Sequence, residues 1–247
     1  VATGPLPTPR LPGAVGAGGV TSGTNDTVIL ERPNANITVT LSSGAHNIRK
    51  LYLREALNIT GGSLTVNYVP SADSTPHGAQ FSGPVTLSGG GSLSVHTLQV
   101  DAAQTFTLGG GTLGFNTLNL MPHSSTPAKI LLSGNTTLDP WLHTNASIVN
   151  GTGSGNSGFV DLANGARVIN IASGRTVLVN VPVRNGGFVK TGAGTLTLGA
   201  SNTYSGLTVV GAGVLALGEG ASISASPNIT VGTNSGSTAV LDAGAVQ

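Results

Sequence analysis

Apolar and polar residues alternate over short runs along most of this 247-residue chain, from Asp26 onward. Gly, Asn, Ser or Pro separates nearly all of these runs. Period-two alternation bounded by turn-forming residues predicts short β-strands. The clearest runs are 27–30, 37–41, 51–53, 57–59, 63–66, 85–87, 92–95, 98–100, 106–108, 112–115, 118–120 and 130–132. Residues 48–57 come closest to a helical spacing, and a helix is the alternative there, although period two fits them better.

A glycine-rich unit followed by leucine recurs along the chain. Its leucines are Leu64, Leu93, Leu113, Leu196 and Leu215. Leu93 and Leu113 are 20 positions apart, and Leu196 and Leu215 are 19 apart. A period near 20 residues, with two or three short strands in each unit, is typical of one coil of a β-solenoid. Glycine is expected at the corners because it adopts a positive φ without steric cost, and Asn tolerates the same conformation.

Three longer intervals interrupt the period. Leu64 and Leu93 are 29 positions apart, which predicts an inserted loop at 67–80, and further insertions are expected at 121–129 and 149–158. A β-sandwich or barrel is the competing architecture, since both also use short strands and Gly-rich turns. Those folds usually have longer strands and an aromatic core. The repeated unit therefore favours an all-β, right-handed parallel β-helix with coils of about 20 residues.

Composition indicates how the chain divides into a lead-in and a domain. Residues 1–24 contain four of the chain's prolines, at 5, 7, 9 and 12, and are interpreted as a lead-in or linker. Residues 25–247 are predicted to form a single β-helix domain, expected to be a segment of a longer protein. The chain is 38% hydrophobic but only 4% aromatic. Its core should therefore be long, thin and built from small aliphatic side chains.

Charge and cysteine content exclude several classes of function. The net charge is +1, and the ten basic residues are scattered, which gives no electrostatic footprint for nucleic acid. Arg49, Lys50 and Arg54 form the one basic cluster, interpreted as a solvated loop or strand edge. The chain has no run of 18 apolar residues, so no membrane-spanning segment is predicted. Residues 1–13 lack the features of a signal peptide. With no cysteine, disulfides and thiolate metal sites are excluded.

The stretch 190–220 reads KTGAGTLTLGASNTYSGLTVVGAGVLALGEG. It resembles the passenger-associated strand repeat of bacterial autotransporter passengers and related surface proteins. The matching residues are Lys190, Gly192, Gly194, Thr195, Leu196, Leu198, Asn202, Thr203, Tyr204, Gly206, Thr208, Val209, Gly211 and Leu215. The stretch departs from the usual pattern at Leu207 and Val214. Residues 56–66 are similar, more loosely, to Gly/Asn-rich β-helical proteins of environmental bacteria. Together the likenesses imply a parallel β-helix on an exported protein.

Motifs for cofactors are weak. Residues 153–158, GSGNSG, satisfy the glycine pattern of a dinucleotide loop, but neither a helix nor a suitably spaced acid follows, so a surface turn is predicted. A calcium site is not favoured because the acids never cluster in sequence. They are Asp26, Glu31, Glu55, Asp73, Asp101, Asp139, Asp161, Glu219 and Asp242. The five histidines, at 46, 77, 96, 123 and 143, lack metal-ligand spacing, and positions 77 and 123 fall in predicted insertions.

Parallel β-helices also host polysaccharide lyases and glycosidases, which need paired carboxylates or a base at the sugar. The polar residues available for that chemistry are Asp73, Asp101, Asp139, Arg49 and Arg54, with Trp141 or Tyr52 as a sugar platform. No pattern selects them, and residues 139–141, Asp-Pro-Trp, are more simply interpreted as a turn with an anchoring aromatic.

The prediction is therefore a structural or adhesive β-helix segment of a secreted or cell-surface bacterial protein. No catalytic, cofactor-binding or metal-binding residue is assigned. Self-association through terminal coils or a larger surface assembly is the expected partnership, because an exposed terminal coil offers free backbone groups to another chain. A glycan is a possible further partner. A carbohydrate-active β-helix, either a polysaccharide lyase or a glycan-binding module, is the alternative function.

Overall fold

The computed structural model describes residues 27–32, 36–68, 78–223, 225–232 and 238–244. These ranges contain 22 β-strands and no helix. The strands are β1 (Thr27–Leu30), β2 (Thr38–Leu41), β3 (Ala45–Ile48), β4 (Lys50–Leu53), β5 (Ala56–Ile59), β6 (Ser63–Val66), β7 (Ala79–Phe81), β8 (Val85–Leu87), β9 (Ser92–Val100), β10 (Thr105–Leu108), β11 (Thr112–Leu120), β12 (Lys129–Leu132), β13 (Thr136–Pro140), β14 (Asn145–Asn150), β15 (Phe159–Asn170), β16 (Thr176–Val179), β17 (Val183–Thr191), β18 (Thr195–Leu198), β19 (Thr208–Val210), β20 (Gly213–Leu217), β21 (Ile229–Val231) and β22 (Ala239–Asp242). The predicted lead-in, 1–24, lies outside the described residues.

The strands stack in parallel on three faces. Face A contains β1, β4, β7, the second halves of β9 and β11, β14, β16, β18, β20 and β22. Face B contains β2, β5, β8, β10, β12 and the beginnings of β15 and β17. Face C contains β3, β6, the first halves of β9 and β11, β13, the later parts of β15 and β17, β19 and β21. Parallel stacking in successive coils confirms the predicted β-solenoid.

The coil length matches the sequence period. Leu98 pairs with Ala79 and with Leu118, which are 19 and 20 positions away. Longer coils contain the predicted insertions, with two corrections at their ends. Ala79 and Gln80, predicted to lie in the first insertion, belong to β7, where Ala79 is fully buried. Lys129, predicted to end the second insertion, is the first residue of β12. Most of the insertion at 67–80 lies outside the described residues.

The core is a set of apolar ladders that run from coil to coil. On face A, Leu98, Leu118 and Ile148 are register partners and are all buried. Aromatic side chains are few, and Phe81 packs edge-on against Phe106 at 5.4 Å between ring centroids. Each coil buries its apolar residues mainly against the next one, so the stability of the fold is approximately a sum over neighbouring coils.

Continuous strands form the corner between faces C and A in two coils. The separate strands predicted at 92–95 and 98–100 are both parts of β9, and those predicted at 112–115 and 118–120 are both parts of β11. The alternation of buried and exposed residues slips at this corner, where Phe115 and Asn116 are both buried. The slip turns the following residues toward the core of the adjacent face.

Residues 48–57 run from strand β3 to strand β5, so the period-two interpretation is confirmed and the alternative helix is not formed. One sequence interpretation was wrong. The turn predicted at 139–141 begins later, because Asp139 and Pro140 end β13, where the missing N–H of proline is tolerated. The turn-forming pair Asn164 and Gly165 lies inside β15, at an irregularity where Asn164 has a φ of 54°.

Candidate functional site

Lys190 of β17 is completely buried and bonded within the corner that precedes β18. Its Nζ donates hydrogen bonds to the carbonyl oxygens of Thr191 at 2.7 Å, Gly192 at 2.8 Å and Ala212 at 3.2 Å. Ala212 belongs to the next coil, so the ammonium ties two coils together. Burial lowers the pKa of Lys190 from 10.5 to about 8. The ammonium form predominates at neutral pH and supplies one N–H to each of the three acceptors.

Because the pKa of Lys190 is lowered by burial, its titration should make the protein more stable as the pH rises. Because the folded state binds this proton more weakly than the unfolded state, the free energy of unfolding should increase between about pH 8 and pH 10.5. Relative to Lys190→Met, we expect the wild type to gain about 2 kcal/mol between about pH 7 and about pH 9.5. Urea unfolding at a series of pH values measures this difference. Lys129→Met, in β12, is the control and should keep the wild-type slope; a flat wild-type profile would contradict the prediction.

Asn202 connects three coils through one side chain. Its Oδ1 accepts a hydrogen bond from the backbone N–H of Val183 at 3.0 Å. Its Nδ2 donates to the carbonyl oxygens of Ala200 at 2.7 Å and Ser222 at 2.9 Å. Val183 lies in the preceding coil and Ser222 in the following one. Asn202 is buried and both atoms of its amide group are bonded, so its role is to hold the coils in register.

Tyr204 fills the core next to Asn202. Its ring packs edge-on against Phe188 at 5.3 Å, and its hydroxyl contacts Thr208 Oγ1 at 2.8 Å. Thr208 in turn donates to Ser226 Oγ, which donates to the carbonyl oxygen of Gly206. Burial raises the pKa of Tyr204 to about 12, partly offset by the hydrogen bond with Thr208. The tyrosine therefore stays neutral, as its place in a chain of hydroxyl groups requires.

A second cluster lies at the corner between faces C and A. Residues 141–144, the covering loop, leave β13 above Asn116, since Phe115 pairs with Pro140 and Thr117 pairs with Ser147. The loop extends down a further coil, where the rings of His143 and His96 meet edge-on at 5.8 Å. Asn116 lies at this corner and is only 7% exposed.

An arginine holds the covering loop from the other side. Arg175 donates to the carbonyl oxygen of His143 at 2.6 Å, and its Nε lies 3.4 Å from Asp139 Oδ1. Both contacts join the residues before β16 to the ends of β13 and the loop. Under this loop, neither Nδ2 nor Oδ1 of Asn116 has a protein hydrogen-bond partner. Buried polar groups are seldom left without a partner, so this amide is the feature of the corner that most needs an explanation.

Histidine titration offers a check on this corner. Burial, and then the charge of His143, lower the pKa of His96 below 6.5. Because the folded-state pKa is depressed, the contribution of His96 to stability is present above pH 6.5 and is lost as the pH falls. His143→Gln should raise the pKa of His96 while leaving it below 6.5, since burial remains. Titration by NMR measures the change; His123→Gln is the control, and an unchanged His96 pKa in His143→Gln would contradict the prediction.

Within the described part of the chain, the residues weighed for lyase or glycosidase chemistry form no hydrogen bond or ion pair with one another. Asp101 follows face A and accepts hydrogen bonds from Gln80, Ser82 and Gln99. Asp139 ends β13 on face C, and Arg54 pairs with Glu31 at the exposed surface. Arg49 lies between β3 and β4, and Tyr52 and Trp141 are half-buried on different coils. Asp73 and His77 lie outside the described residues.

The glycine pattern at 153–158 is part of an exposed loop, as predicted. His123 and Asn156 form an antiparallel bridge there, so two predicted insertions pair with each other. His123 Nδ1 accepts hydrogen bonds from the backbone N–H groups of Ser125 and Thr126, which gives that ring a structural role. Within the part of the chain that the structure describes, no group of three or more His, Asp or Glu side chains could hold a metal ion. The same residues form no helix long and apolar enough to cross a membrane.

Sequence reasoning did not select Asn116 or Arg175. The available signal was the phase slip in FNTLNL at 115–120, where an amide stands between buried apolar positions. Arg175 lies in a stretch without a motif, and its contact with the covering loop depends on a coil 32 residues earlier.

Comparison with known proteins identifies the repeat. Residues 188–217 match the family model of the passenger-associated-transport-repeat. Comparisons with curated proteins and with solved structures gave no significant match. The matched segment contains Lys190, Asn202 and Tyr204, and each of these side chains joins or fills adjacent coils. The match confirms the resemblance of 190–220 to the repeat of autotransporter passengers.

Proposed function

We propose that this chain is a structural or adhesive β-helix segment of a protein that a bacterium secretes or displays on its surface. The observation that carries the proposal is the repeat at 188–217, whose matching polar side chains serve the stacking of coils. A scaffold of this kind derives its stability from neighbouring coils and needs neither disulfides nor a cofactor. Such a scaffold suits a stalk or the body of an adhesin outside the cell.

Surface labelling tests the proposed location. Antibodies raised against the purified chain should stain intact cells of the source bacterium or detect the protein in its medium. Protease added to intact cells should remove the surface signal. Staining that requires permeabilised cells, with no protein in the medium, would contradict the proposal. A cytoplasmic protein of the same strain serves as the control for cell integrity.

Self-association through the terminal coils belongs to the same proposal. Among the described residues, β1 pairs only with β4 and β22 pairs only with β20, so one edge of each strand is open. Ile29 of β1 and Val240 of β22 are 62% and 40% exposed. An end-to-end contact of this type does not close and gives an open polymer. Electron micrographs of concentrated protein should show filaments, whereas uniform single particles would count against self-association.

We also infer that the chain does not cleave glycans. Three side-chain donors occupy the carboxylate of Asp101, and Arg54 is engaged by Glu31, so neither is poised as an acid or base. Assays for reducing sugars and unsaturated products against acidic polysaccharides should give no activity. Activity that disappears in Asp101→Ala or Arg54→Ala, with the fold intact by circular dichroism, would establish the enzyme instead.

A further inference from the structure

An open groove of about 420 Å³ runs along face A beside the covering loop. Asn116 of β11, Asn145 and Ser147 of β14, Thr176 of β16 and Thr197 of β18 supply its polar lining, and Leu178 is among its apolar residues. These strands are consecutive on face A. With strands about 4.8 Å apart, the groove extends for roughly 14 Å along the solenoid axis. It is long enough for a short linear ligand.

The chemistry of the lining selects the ligand. Side-chain amides and hydroxyls both donate and accept hydrogen bonds, as the hydroxyl groups of a sugar do. None of the lining residues is charged. Arg175, next to Thr176 in the chain, is already engaged by the carbonyl oxygen of His143 and by Asp139. Phosphate groups, uronate carboxylates and a nucleic-acid backbone would therefore meet no cation in the lining itself. The small apolar surface of Leu178 suits the C–H faces of a sugar ring.

Asn116 adds a specific anchor at one end of the groove. Its Nδ2 and Oδ1 are buried without a protein partner, although the residue lines the groove. An unmatched buried polar group destabilises the protein, so a ligand that supplies the missing partners gains affinity there. A sugar hydroxyl that enters beside Asn116, with a small shift of the covering loop, can donate to Oδ1 and accept from Nδ2. The contacts of His143 with His96 and Arg175 keep the loop close to that position.

A peptide is a poorer fit for the same surface. Extended peptides bind β-proteins by adding a strand to an open sheet edge. The groove lies on the face of the sheet, where β14, β16 and β18 each have a neighbour on both sides. Backbone groups are therefore already paired, and recognition must use side chains.

We propose that the groove between Asn116 and Thr197 binds a neutral oligosaccharide through amide and hydroxyl side chains, without cleaving it. The site would make the segment an adhesive as well as a structural element. It does not depend on where the chain is located. A purified protein can therefore fail this test while the surface proposal stands, and the reverse also holds.

Binding can be measured by NMR on the whole chain with maltotriose, cellotriose and chitotriose as probes. At least one should cause saturable shifts of the amide signals of Asn145, Thr176 and Thr197. Trigalacturonate, an anionic trisaccharide, should bind at least tenfold more weakly. Asn116→Ala should weaken binding of the neutral ligand tenfold or more, and Thr176→Val, a nearly isosteric change at a half-buried position, at least threefold.

Thr86→Val is the matched control because Thr86 is a half-buried threonine on face B, two coils before the groove begins on face A. It should leave the affinity unchanged. If Asn116→Ala does not fold, Thr176→Val and Thr197→Val still decide the question. No saturable shift with any neutral probe at millimolar concentration would overturn the proposal. So would binding that is unaffected by the groove variants, or a crystal structure in which water alone satisfies Asn116 at saturating trisaccharide.

Discussion

Gly192→Ala should destabilise the protein far more than Gly174→Ala. Both glycines have left-handed backbones, with φ of +73° and +71°. A Cβ on Gly192 would lie 2.1 Å from the carbonyl oxygen of Ile171 in the preceding coil, whereas a Cβ on Gly174 meets no atom within 4 Å. We expect Gly174→Ala to cost about 1 kcal/mol from backbone strain alone. Gly192→Ala should cost about 4 kcal/mol because two coils must move apart.

The two variants separate two reasons for a glycine at a corner: a positive φ and a close approach between coils. Strain in φ is common to both positions, so the difference between them measures the closeness of the coils. Urea unfolding followed by circular dichroism gives the two free energies. Equal losses would show that φ alone explains the glycine at 192 and that the coils can yield at the corner. The repeat would then owe its glycine to the turn and not to the stacking.

Asn202→Ala is expected to have the second large effect. It leaves the N–H of Val183 and the carbonyl oxygen of Ala200 without this side-chain partner, and the carbonyl oxygen of Ser222 keeps only the backbone N–H of residue 202. A lost partner for buried groups costs about 1–3 kcal/mol, and several are affected at once, so we expect a loss of about 3 kcal/mol. Unfolding by urea measures it directly.

Asn180→Ala is the matched control for Asn202→Ala. Asn180 also stands at a corner, one coil away, but is exposed to solvent. The control should change stability by less than about 0.5 kcal/mol. Similar losses in the two variants would mean that the tie between coils through Asn202 contributes little. A second check is hydrogen exchange, in which the N–H of Val183 should lose protection in Asn202→Ala only.

The regular part of this fold could be predicted from the sequence because each strand alternates with period two and each coil repeats its pattern. Strands such as β1, β6 and β8 begin and end at the predicted residues. Short strands with weak alternation were missed: β3 contains His46 and Asn47, and β13 ends in Asp139 and Pro140. Their place in the sheet is determined by the coils on either side, which local pattern does not contain.

The candidate sites were harder to predict for a related reason. Lys190, Asn202 and Tyr204 were found through their resemblance to a repeat. The hydrogen-bond partners that join Lys190 and Asn202 to other coils lie about 20 residues away along the chain. Asn116 carries no motif, and its burial at a corner that the loop at 141–144 passes depends on residues distant in the sequence. Insertions of different length shift which residues meet at a corner. The period of the sequence therefore predicts how the coils stack. The coils with insertions determine which side chains meet at the surface.

The parallel order of the coils has a mechanical consequence. Hydrogen bonds between coils run along the solenoid axis, so a pull applied to the two ends loads them one coil at a time. Resistance to force is then set by the weakest coil in the line and not by the total number of bonds. The terminal strands β1 and β22, each with one neighbour among the described residues, should peel first. Peeling from the carboxyl end should stall at the coils joined by Lys190 and Asn202.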